Sequence, residues 1–184
     1  MIIEIISSSP RAASLTVRIA KYLQQYIQQN HPEHSAGLMD VREWQLGQLQ
    51  TVFNSIENTS DNYKPLAERM FAANAFIIVT PEYNGSYSSD LKNLFDHFPK
   101  QARKAFGICT ASVGALGGAR ATQSLLLLIP ALFGIASPSL LIVPNVDKKF
   151  NVDNQLIDAS FENQIHNFIT EFIWLGKQLQ QQDK

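Results

Sequence analysis

Short, continuous runs of apolar residues alternate along the chain with segments whose apolar residues recur at helical spacing. Unbroken apolar runs are typical of strands that are covered on both faces. The predicted strands are Ile2–Ile6, a weaker one near Gly37–Val41, Ala75–Thr80, Ala105–Thr110 and Leu140–Val143. Because parallel neighbouring strands need crossover connections, which helices usually supply, this alternation predicts an α/β fold with a five-stranded parallel sheet between two layers of helices.

Helical periodicity follows most of these runs. The apolar residues from Leu15 to Ile27 fall on one helix face at the i, i+4, i+7, i+8 spacing. Similar patterns predict further helices near Ala67–Phe71, Leu91–Phe98, Leu125–Ile129 and Phe161–Leu179. The polar stretch Asn54–Asn62 is predicted to be a long surface loop, and Gln180–Lys184 a frayed tail. We expect one domain over residues 1–184, since length and composition favour a compact folded chain.

Charge and cysteine content narrow the class of protein. Fifteen Lys and Arg residues against sixteen Asp and Glu residues give a net charge of −1, which offers no broad positive field for nucleic acid. The single cysteine, Cys109, cannot form an intramolecular disulfide and is expected to be packed in a strand. The N-terminus lacks the features of a signal peptide, and no apolar run approaches the roughly 20 residues of a membrane span. We therefore expect a cytoplasmic protein that does not insert into membranes.

Three loops that follow the first, third and fourth predicted strands have special composition. In an open α/β sheet, ligands bind beyond the carboxyl ends of the strands, so these loops are expected to meet at one edge. The first, Ser7–Thr16, offers hydroxyls, Arg11 and a helix N-terminus, which together suit an anion such as a phosphate. Alternatively, Ser14 only caps the helix and Arg11 is solvated.

The other two loops are turns with less specific signals when each is taken alone. Pro81 and Asn84-Gly85 predict a sharp turn that presents an aromatic side chain and backbone N–H groups. The third loop, Ser112–Gly118, contains glycines that permit close approach of the backbone to a ligand or to a neighbouring segment. The convergence of all three loops on one sheet edge predicts a ligand site there.

The residues of these loops resemble the NAD(P)H-dependent FMN reductase family, a flavodoxin-like group that includes quinone, chromate and azo reductases. The family pattern G-S-x-R-x-x-S-x-N corresponds to Ser8–Thr16, and its P-E-Y-N-G-S and L-K-N-x-x-D motifs correspond to Pro81–Ser86 and Leu91–Asp96. A Ser/Thr-Gly and Gly-Gly turn corresponds to Ser112–Gly118. The resemblance implies a three-layer sandwich with strand order 2-1-3-4-5 and a hydride transfer from NADPH or NADH to bound FMN.

The resemblance also implies a set of cofactor-binding residues. The FMN phosphate would be held by Ser9, Arg11, Ser14 and Thr16. The isoalloxazine would be bordered on one side by Pro81, Glu82, Tyr83, Asn84 and Gly85, and on the other by Ser112, Gly114, Gly117 and Gly118. The flavin performs the chemistry, so no catalytic side chain and no metal site is predicted. The electron acceptor would be a small molecule: a quinone, an azo compound, a metal oxyanion or a flavin.

Two positions depart from the family pattern. Ser8 replaces a glycine, so a positive φ at this position would be strained, and Thr16 replaces an asparagine with a longer reach. Both predict an FMN affinity somewhat below that of typical members. Family members usually form dimers or tetramers, which makes the helix Ser88–Phe98 a candidate contact surface. For Arg120 the sequence leaves open a solvated side chain, a contact near the flavin, a partner's Glu82 or a nucleotide phosphate.

Two other functions remain open from the sequence. A flavodoxin-like electron carrier would use a strongly charged docking face, which a net charge of −1 does not favour. A non-enzymatic flavin-binding module would explain the changes at Ser8 and Thr16. His31 and His34 lie in a polar segment and do not predict a metal site.

Overall fold

The computed structural model describes residues 1–181. Its sheet contains five parallel strands: β1 (Ile2–Ser7), β2 (Ser35–Asp40), β3 (Ala75–Pro81), β4 (Ala105–Ala111) and β5 (Ile135–Val143). The helices are α1 (Thr16–Asn30), α2 (Lys64–Ala72), α3 (Ser89–Asp96), α4 (Ala119–Ala131), α5 (Val146–Lys149) and α6 (Glu162–Gln181). Gln180 and Gln181 of the predicted frayed tail are helical, and the rest of that tail lies outside the described residues.

The strand order β2-β1-β3-β4-β5 confirms the predicted flavodoxin-like topology. Alternate residues of the central strands enter two separate apolar clusters, one on each face of the sheet. The first cluster joins Ile5 and Ile77 to α1 and α6, and the second joins Ile6 and Ile78 to α2, α3 and α4. Burial on both faces is why these strands read as unbroken apolar runs.

Strand β5 begins five residues earlier than the sequence predicts, at Ile135 rather than Leu140. Its first half contains Ser137 and Pro138 and alternates between exposed and buried positions, so it lacks the continuous apolar signal. A proline is tolerated here because β5 is an edge strand, where an amide can be spared from pairing. Strand β2, the other edge, spans Ser35–Asp40 rather than the predicted 37–41.

Residues 54–60 of the predicted loop lie in a long segment without helix or strand between Glu43 and Asp61, whereas Asp61 and Asn62 begin a short 3-10 helix. Cys109 is fully buried in β4, as expected, and burial raises the pKa of its thiol. No helix within residues 1–181 is long and apolar enough to cross a membrane. Over the same residues, no group of three or more His, Cys, Asp or Glu side chains is placed to hold a metal ion.

A buried ion pair lies beneath α2. Glu4 of β1 is 4% exposed, and its carboxylate accepts hydrogen bonds from Arg69, including one of 3.0 Å from Nε. The neighbouring strand makes room with a glycine, because a Cβ at Gly37 would lie 2.5 Å from Glu4 Oε2. Gly37 is therefore required by the carboxylate beside it.

Replacement of Gly37 by alanine is expected to lower the free energy of unfolding by about 1–2 kcal/mol, because the new methyl group would push the Glu4 carboxylate away from Arg69. Urea unfolding measures the change. Gly47→Ala is the matched control, since a Cβ at Gly47 meets no atom within 4 Å. Equal loss of stability in both variants would contradict the proposed role of Gly37.

Lys104, just before β4, is a half-buried charge. Its Nζ donates to Met70 O at 3.2 Å and to Gln101 Oε1 at 2.9 Å, and lies 5.3 Å from the centre of the Phe76 ring. No carboxylate within residues 1–181 compensates it, and burial lowers its pKa from 10.5 to about 8.

This shift predicts that stability rises with pH above about 8, because the folded chain then releases a proton that the unfolded chain keeps up to about 10.5. Wild type and Lys104→Met are compared by urea unfolding at about pH 7.5 and about pH 9.5. The stability of wild type relative to the variant should increase by about 1–2 kcal/mol between these conditions. A constant difference would show that Lys104 titrates normally.

Candidate functional site

The loops after β1, β3 and β4 meet at the carboxyl edge of the sheet, as predicted. Together they enclose a cleft of about 260 Å³. The predicted site residues that line this cleft are Ser9, Arg11, Ser14, Thr16, Pro81, Glu82, Tyr83 and Ser112. A wider, open depression adjoins the cleft and shares Arg11, Glu82 and Tyr83 with it.

The first loop carries hydroxyl groups to the N-terminus of α1. Ser14 Oγ lies 3.0 Å from Thr16 Oγ1 and accepts a hydrogen bond of 3.4 Å from Val17 N. Ser14 therefore does contact the first turn of the helix, as the capping alternative predicts. The residue before the helix, Leu15, supplies no side-chain cap. The positive end of the helix dipole thus faces the cleft beside two hydroxyls.

Arg11 supplies the positive charge of the cleft. Its guanidinium is stacked on Tyr83, with Cζ 4.6 Å from the ring centre, and none of the ion pairs found within residues 1–181 involves it. The same tyrosine hydroxyl lies 3.2 Å from Ser9 Oγ. Arg11 is exposed, so its donors are available to an anion while the stacking on Tyr83 limits the positions that the side chain adopts.

The second loop is the sharp turn that its Asn-Gly pair predicts. Tyr83 N donates to Ser86 O at 2.8 Å, and both central residues have positive φ, 51° at Asn84 and 81° at Gly85. The turn points Tyr83 toward the first loop. Asn84 lines the open depression, whereas Gly85 lines neither cavity, and a Cβ at Gly85 would lie 3.9 Å from Arg120 Cδ.

The three glycines of the third loop do not line the cleft. Gly114 O accepts hydrogen bonds from Ser112 Oγ and Gly117 N, both of 3.2 Å, which close the loop on itself. Gly117 and Gly118 have φ of 58° and 81°; a Cβ at Gly117 would meet the end of β5, and a Cβ at Gly118 would meet the end of β4 and Glu82. These two glycines let the loop approach neighbouring backbone, and the side chains of this loop that line the cleft are Ser112 and Val113.

Glu82 joins the second loop to α4. Its Oε2 accepts a hydrogen bond of 3.1 Å from Arg120 N, and so caps a helix whose N-cap residue, Gly118, has no side chain to do so. The Arg120 guanidinium is 72% exposed and lies 3.9 Å from Glu82 Oε1 of the same chain. A pair this exposed contributes little, so Arg120 acts mainly through its backbone N–H. The sequence carries no signal for this contact between distant loops.

Ser8 does not have a positive φ, so its backbone is not strained by the absence of a glycine. Strain at Ser8 is therefore no reason to expect weaker FMN binding. Its N–H donates to Val79 O at 3.0 Å, which extends the pairing of β1 by one residue. Its carbonyl accepts a hydrogen bond of 2.6 Å from Ser88 Oγ, and Ser88 also caps α3 through Leu91 N. Ser8 therefore joins the first loop to α3, a role that sequence reasoning missed.

The sequence of the chain is similar to those of known proteins. The sequence profile of the family described as NADPH-dependent FMN reductase matches residues 1–148. An FMN-dependent NADPH-azoreductase from Staphylococcus aureus is 30% identical over 175 residues, which cover 92% of each chain. The chain belongs to the NADPH-dependent FMN reductase family. The predicted flavin-dependent reductase class, with FMN and NADPH, is thereby confirmed.

Solved structures support the fold independently. The flavoenzyme NAD(P)H:(acceptor) oxidoreductase FerB from Paracoccus denitrificans superposes with a TM-score of 0.77 at 18% identity, covering 96% of this chain and 97% of FerB. A mutant flavodoxin from Pseudomonas aeruginosa gives a TM-score of 0.59 at 16% identity over 94% of this chain and 99% of its own. At these identities the likeness concerns the fold alone.

The residues of the cleft fit the FMN of this family. A phosphate needs hydrogen-bond donors and positive charge, which the hydroxyls, Arg11 and the N-terminus of α1 supply. A planar ring needs flat walls and backbone donors, and the turn at Tyr83–Ser86 provides both an aromatic side chain and a tightly folded backbone. The cleft is an open one, so a ring bound there would stay accessible to small molecules.

Proposed function

We propose that the FMN phosphate binds Ser9, Arg11, Ser14 and Thr16, and that the isoalloxazine lies between the turn at residues 81–85 and the loop at residues 112–118. The observation that carries this proposal is the cleft in which all three loops meet. Arg11 lies in this cleft and has no carboxylate partner within residues 1–181. Gly114, Gly117 and Gly118 would act by shaping the backbone of their loop. Glu82 would hold the two loops at a fixed separation.

Bound FMN supplies the redox chemistry, since its ring accepts a hydride from a nicotinamide and passes electrons to an acceptor. The chain's own residues bind and orient it. Arg11 and the first turn of α1 hold the negative end, and Tyr83 limits the position of Arg11. We propose that the open depression beside Tyr83 and Tyr87 admits NADPH or NADH and, in turn, a small planar acceptor such as a quinone, an azo compound or a flavin, or a metal oxyanion.

We also propose a cytoplasmic homodimer or homotetramer. The solvent-facing residues of the predicted contact helix, α3, are polar, and Lys92 pairs there with Asp96. Exposed apolar side chains lie instead on and after α4, where Leu127 is 79% and Phe133 64% exposed. The contact would therefore include α4 in addition to the helix 88–98. Size-exclusion chromatography with light scattering measures the oligomeric state, and a fully active monomer would contradict the proposed homo-oligomer.

The function is tested with purified protein and added FMN. We expect a yellow complex that is reduced by NADPH and reoxidised by menadione with stoichiometric NADPH consumption. A complex that binds FMN but is not reduced by NADPH or NADH would indicate an electron carrier, and protein that binds no FMN would contradict the proposed site. A panel of quinones, azo dyes, chromate and flavins then ranks acceptors by the rate of flavin reoxidation.

A further inference from the structure

A second cleft, of about 230 Å³, lies at the same sheet edge between the segment after β2 and helix α3. Its walls carry Arg42, Trp44, Gln45, Asp90 and Asn93, and we call it the Trp44 cleft. Pro10 of the first loop also lines this cleft, and none of its other lining residues belongs to the loops of the proposed FMN site. Its position near that site, and the chemistry of its side chains, indicate a ligand.

The walls of the Trp44 cleft are held in place although residues 44–47 form no helix or strand. Asn93 Nδ2 donates to Leu46 O and to Gly47 O, both at 3.0 Å, which ties the segment to α3. On the far side, the Tyr63 hydroxyl donates to Gln45 O at 2.6 Å. The shape of the cleft is therefore largely formed in advance, which lowers the entropic cost of binding.

Its chemistry combines an aromatic ring with a free carboxylate. Trp44 packs its ring against the second apolar cluster, and its Nε1 is buried without a hydrogen-bond partner within residues 1–181. Asp90 accepts a hydrogen bond of 3.1 Å from Ser89 Oγ and takes part in none of the ion pairs found in the described chain.

The cation of the cleft is already neutralised. Arg42 Nε donates to both Asp40 oxygens, at 2.9 and 3.1 Å, and Nη1 donates to Ala12 O at 3.2 Å. An aromatic wall and one uncompensated carboxylate suit a base and ribose hydroxyls, which offer a flat ring and O–H donors. They do not suit a phosphate group, because Asp90 would repel it.

A series of neighbouring cavities lies between the Trp44 cleft and the proposed flavin site. The open depression beside Tyr83 shares Ser89 with a shallow groove at residues 46–48, and that groove shares Leu46, Asp90 and Asn93 with the Trp44 cleft. The path therefore passes around the N-terminal turn of α3. An extended ligand that places one ring beside Tyr83 would reach Trp44 along it.

We propose that the Trp44 cleft binds the adenosine half of the reducing nicotinamide nucleotide, with the base against Trp44 and a ribose hydroxyl donating to Asp90. This inference rests on the proposed function, since it assigns the distant end of the nucleotide that reduces FMN. It also implies that the cleft favours the unphosphorylated ribose of NADH over the 2′-phosphate of NADPH.

The test uses the FMN-loaded protein and three reductants: NADH, NADPH and reduced nicotinamide mononucleotide, which lacks adenosine. Anaerobic stopped-flow reduction gives the apparent Kd and the limiting rate for each. Trp44→Leu should raise the apparent Kd for NADH about 10-fold, the loss of one base–aromatic stack, and leave the limiting rate unchanged. Neither quantity should change for the mononucleotide. Asp90→Asn should raise the apparent Kd for NADH and increase the preference for NADPH relative to NADH.

Asp153→Asn is the charge-matched control, because Asp153 is exposed and lines none of these cavities. Equal changes for NADH and the mononucleotide, or no change for either, would overturn the inference. The Trp174→Phe variant retains Trp44 as its single tryptophan. Titration of this variant with adenosine monophosphate, followed by Trp44 fluorescence, measures binding to the cleft without any flavin reaction. Wild type that neither NADH nor NADPH reduces would contradict the proposed function, and this titration would still decide whether the Trp44 cleft binds adenosine.

Discussion

Arg11→Met should weaken FMN binding about 10- to 100-fold, which corresponds to the roughly 1.5–3 kcal/mol of a charge-assisted hydrogen bond. Arg11 is the cation of the proposed phosphate site, and no carboxylate competes for it within residues 1–181. Fluorescence titration of FMN into apoprotein measures the Kd. Riboflavin, which has no phosphate, should bind wild type and variant with nearly equal affinity.

The control for this prediction is Lys21→Met, which removes one positive charge from an exposed position of α1 that does not line the cleft. Its FMN affinity should stay within about twofold of wild type, because exposed charges at a distance are screened by salt. Stability should be unaffected in both variants, since Arg11 is exposed as well. If Arg11→Met lowers the affinities for riboflavin and FMN equally, the Arg11 side chain positions the loop by its stacking on Tyr83 and does not hold the phosphate.

Most of the fold is predictable from the sequence because the central strands are buried on both faces. The predicted boundaries of β1, β3 and β4, which are unbroken apolar runs, agree with the structure to within about one residue. For both edge strands, β2 and β5, the predicted first residue lies too late in the chain. At an edge, solvent admits residues such as the exposed Pro138, and the local pattern no longer resembles a buried strand.

The site is predictable only in part, for a different physical reason. Loop composition indicates which residues meet at the sheet edge, since each loop follows a strand whose carboxyl end is known. It does not reveal contacts between loops: Glu82 with Arg120 N, and Ser88 with Ser8 O, join residues 38 and 80 positions apart. Such contacts depend on the final packing of α3 and α4, and no spacing along the chain encodes them.

The same limit explains the glycines of the third loop. The sequence pattern assigns Gly114, Gly117 and Gly118 to the flavin together, because all three belong to one motif. The structure separates them by backbone conformation: Gly117 and Gly118 have positive φ, and Gly114 does not. Alanine substitution distinguishes a glycine that the conformation of the loop requires from a glycine that leaves room for a ligand. The first substitution lowers the stability of the apoprotein, and the second weakens ligand binding.

Gly117→Ala is expected to destabilise the protein by about 2–4 kcal/mol. Its φ of 58° is disfavoured for alanine, and the added Cβ would lie 2.7 Å from Pro144 N and 2.8 Å from Val143 C, where rigid backbone must move. Since Val143 ends β5 and Val146 lines the proposed flavin cleft, that movement would also widen the cleft. Urea unfolding of apoprotein, followed by FMN titration, measures both effects.

Gly114→Ala separates backbone strain from loss of a glycine in the same loop. A Cβ at Gly114 would make an ordinary contact of 3.6 Å with Ser112 Oγ, and its φ is not in the left-handed region, so apoprotein stability should change by less than about 0.5 kcal/mol. If Gly114→Ala still weakens FMN binding, this position faces the flavin closely. If Gly117→Ala is as stable as wild type, the loop adapts to a side chain there, and its glycine would have to be explained by the bound flavin and not by β5.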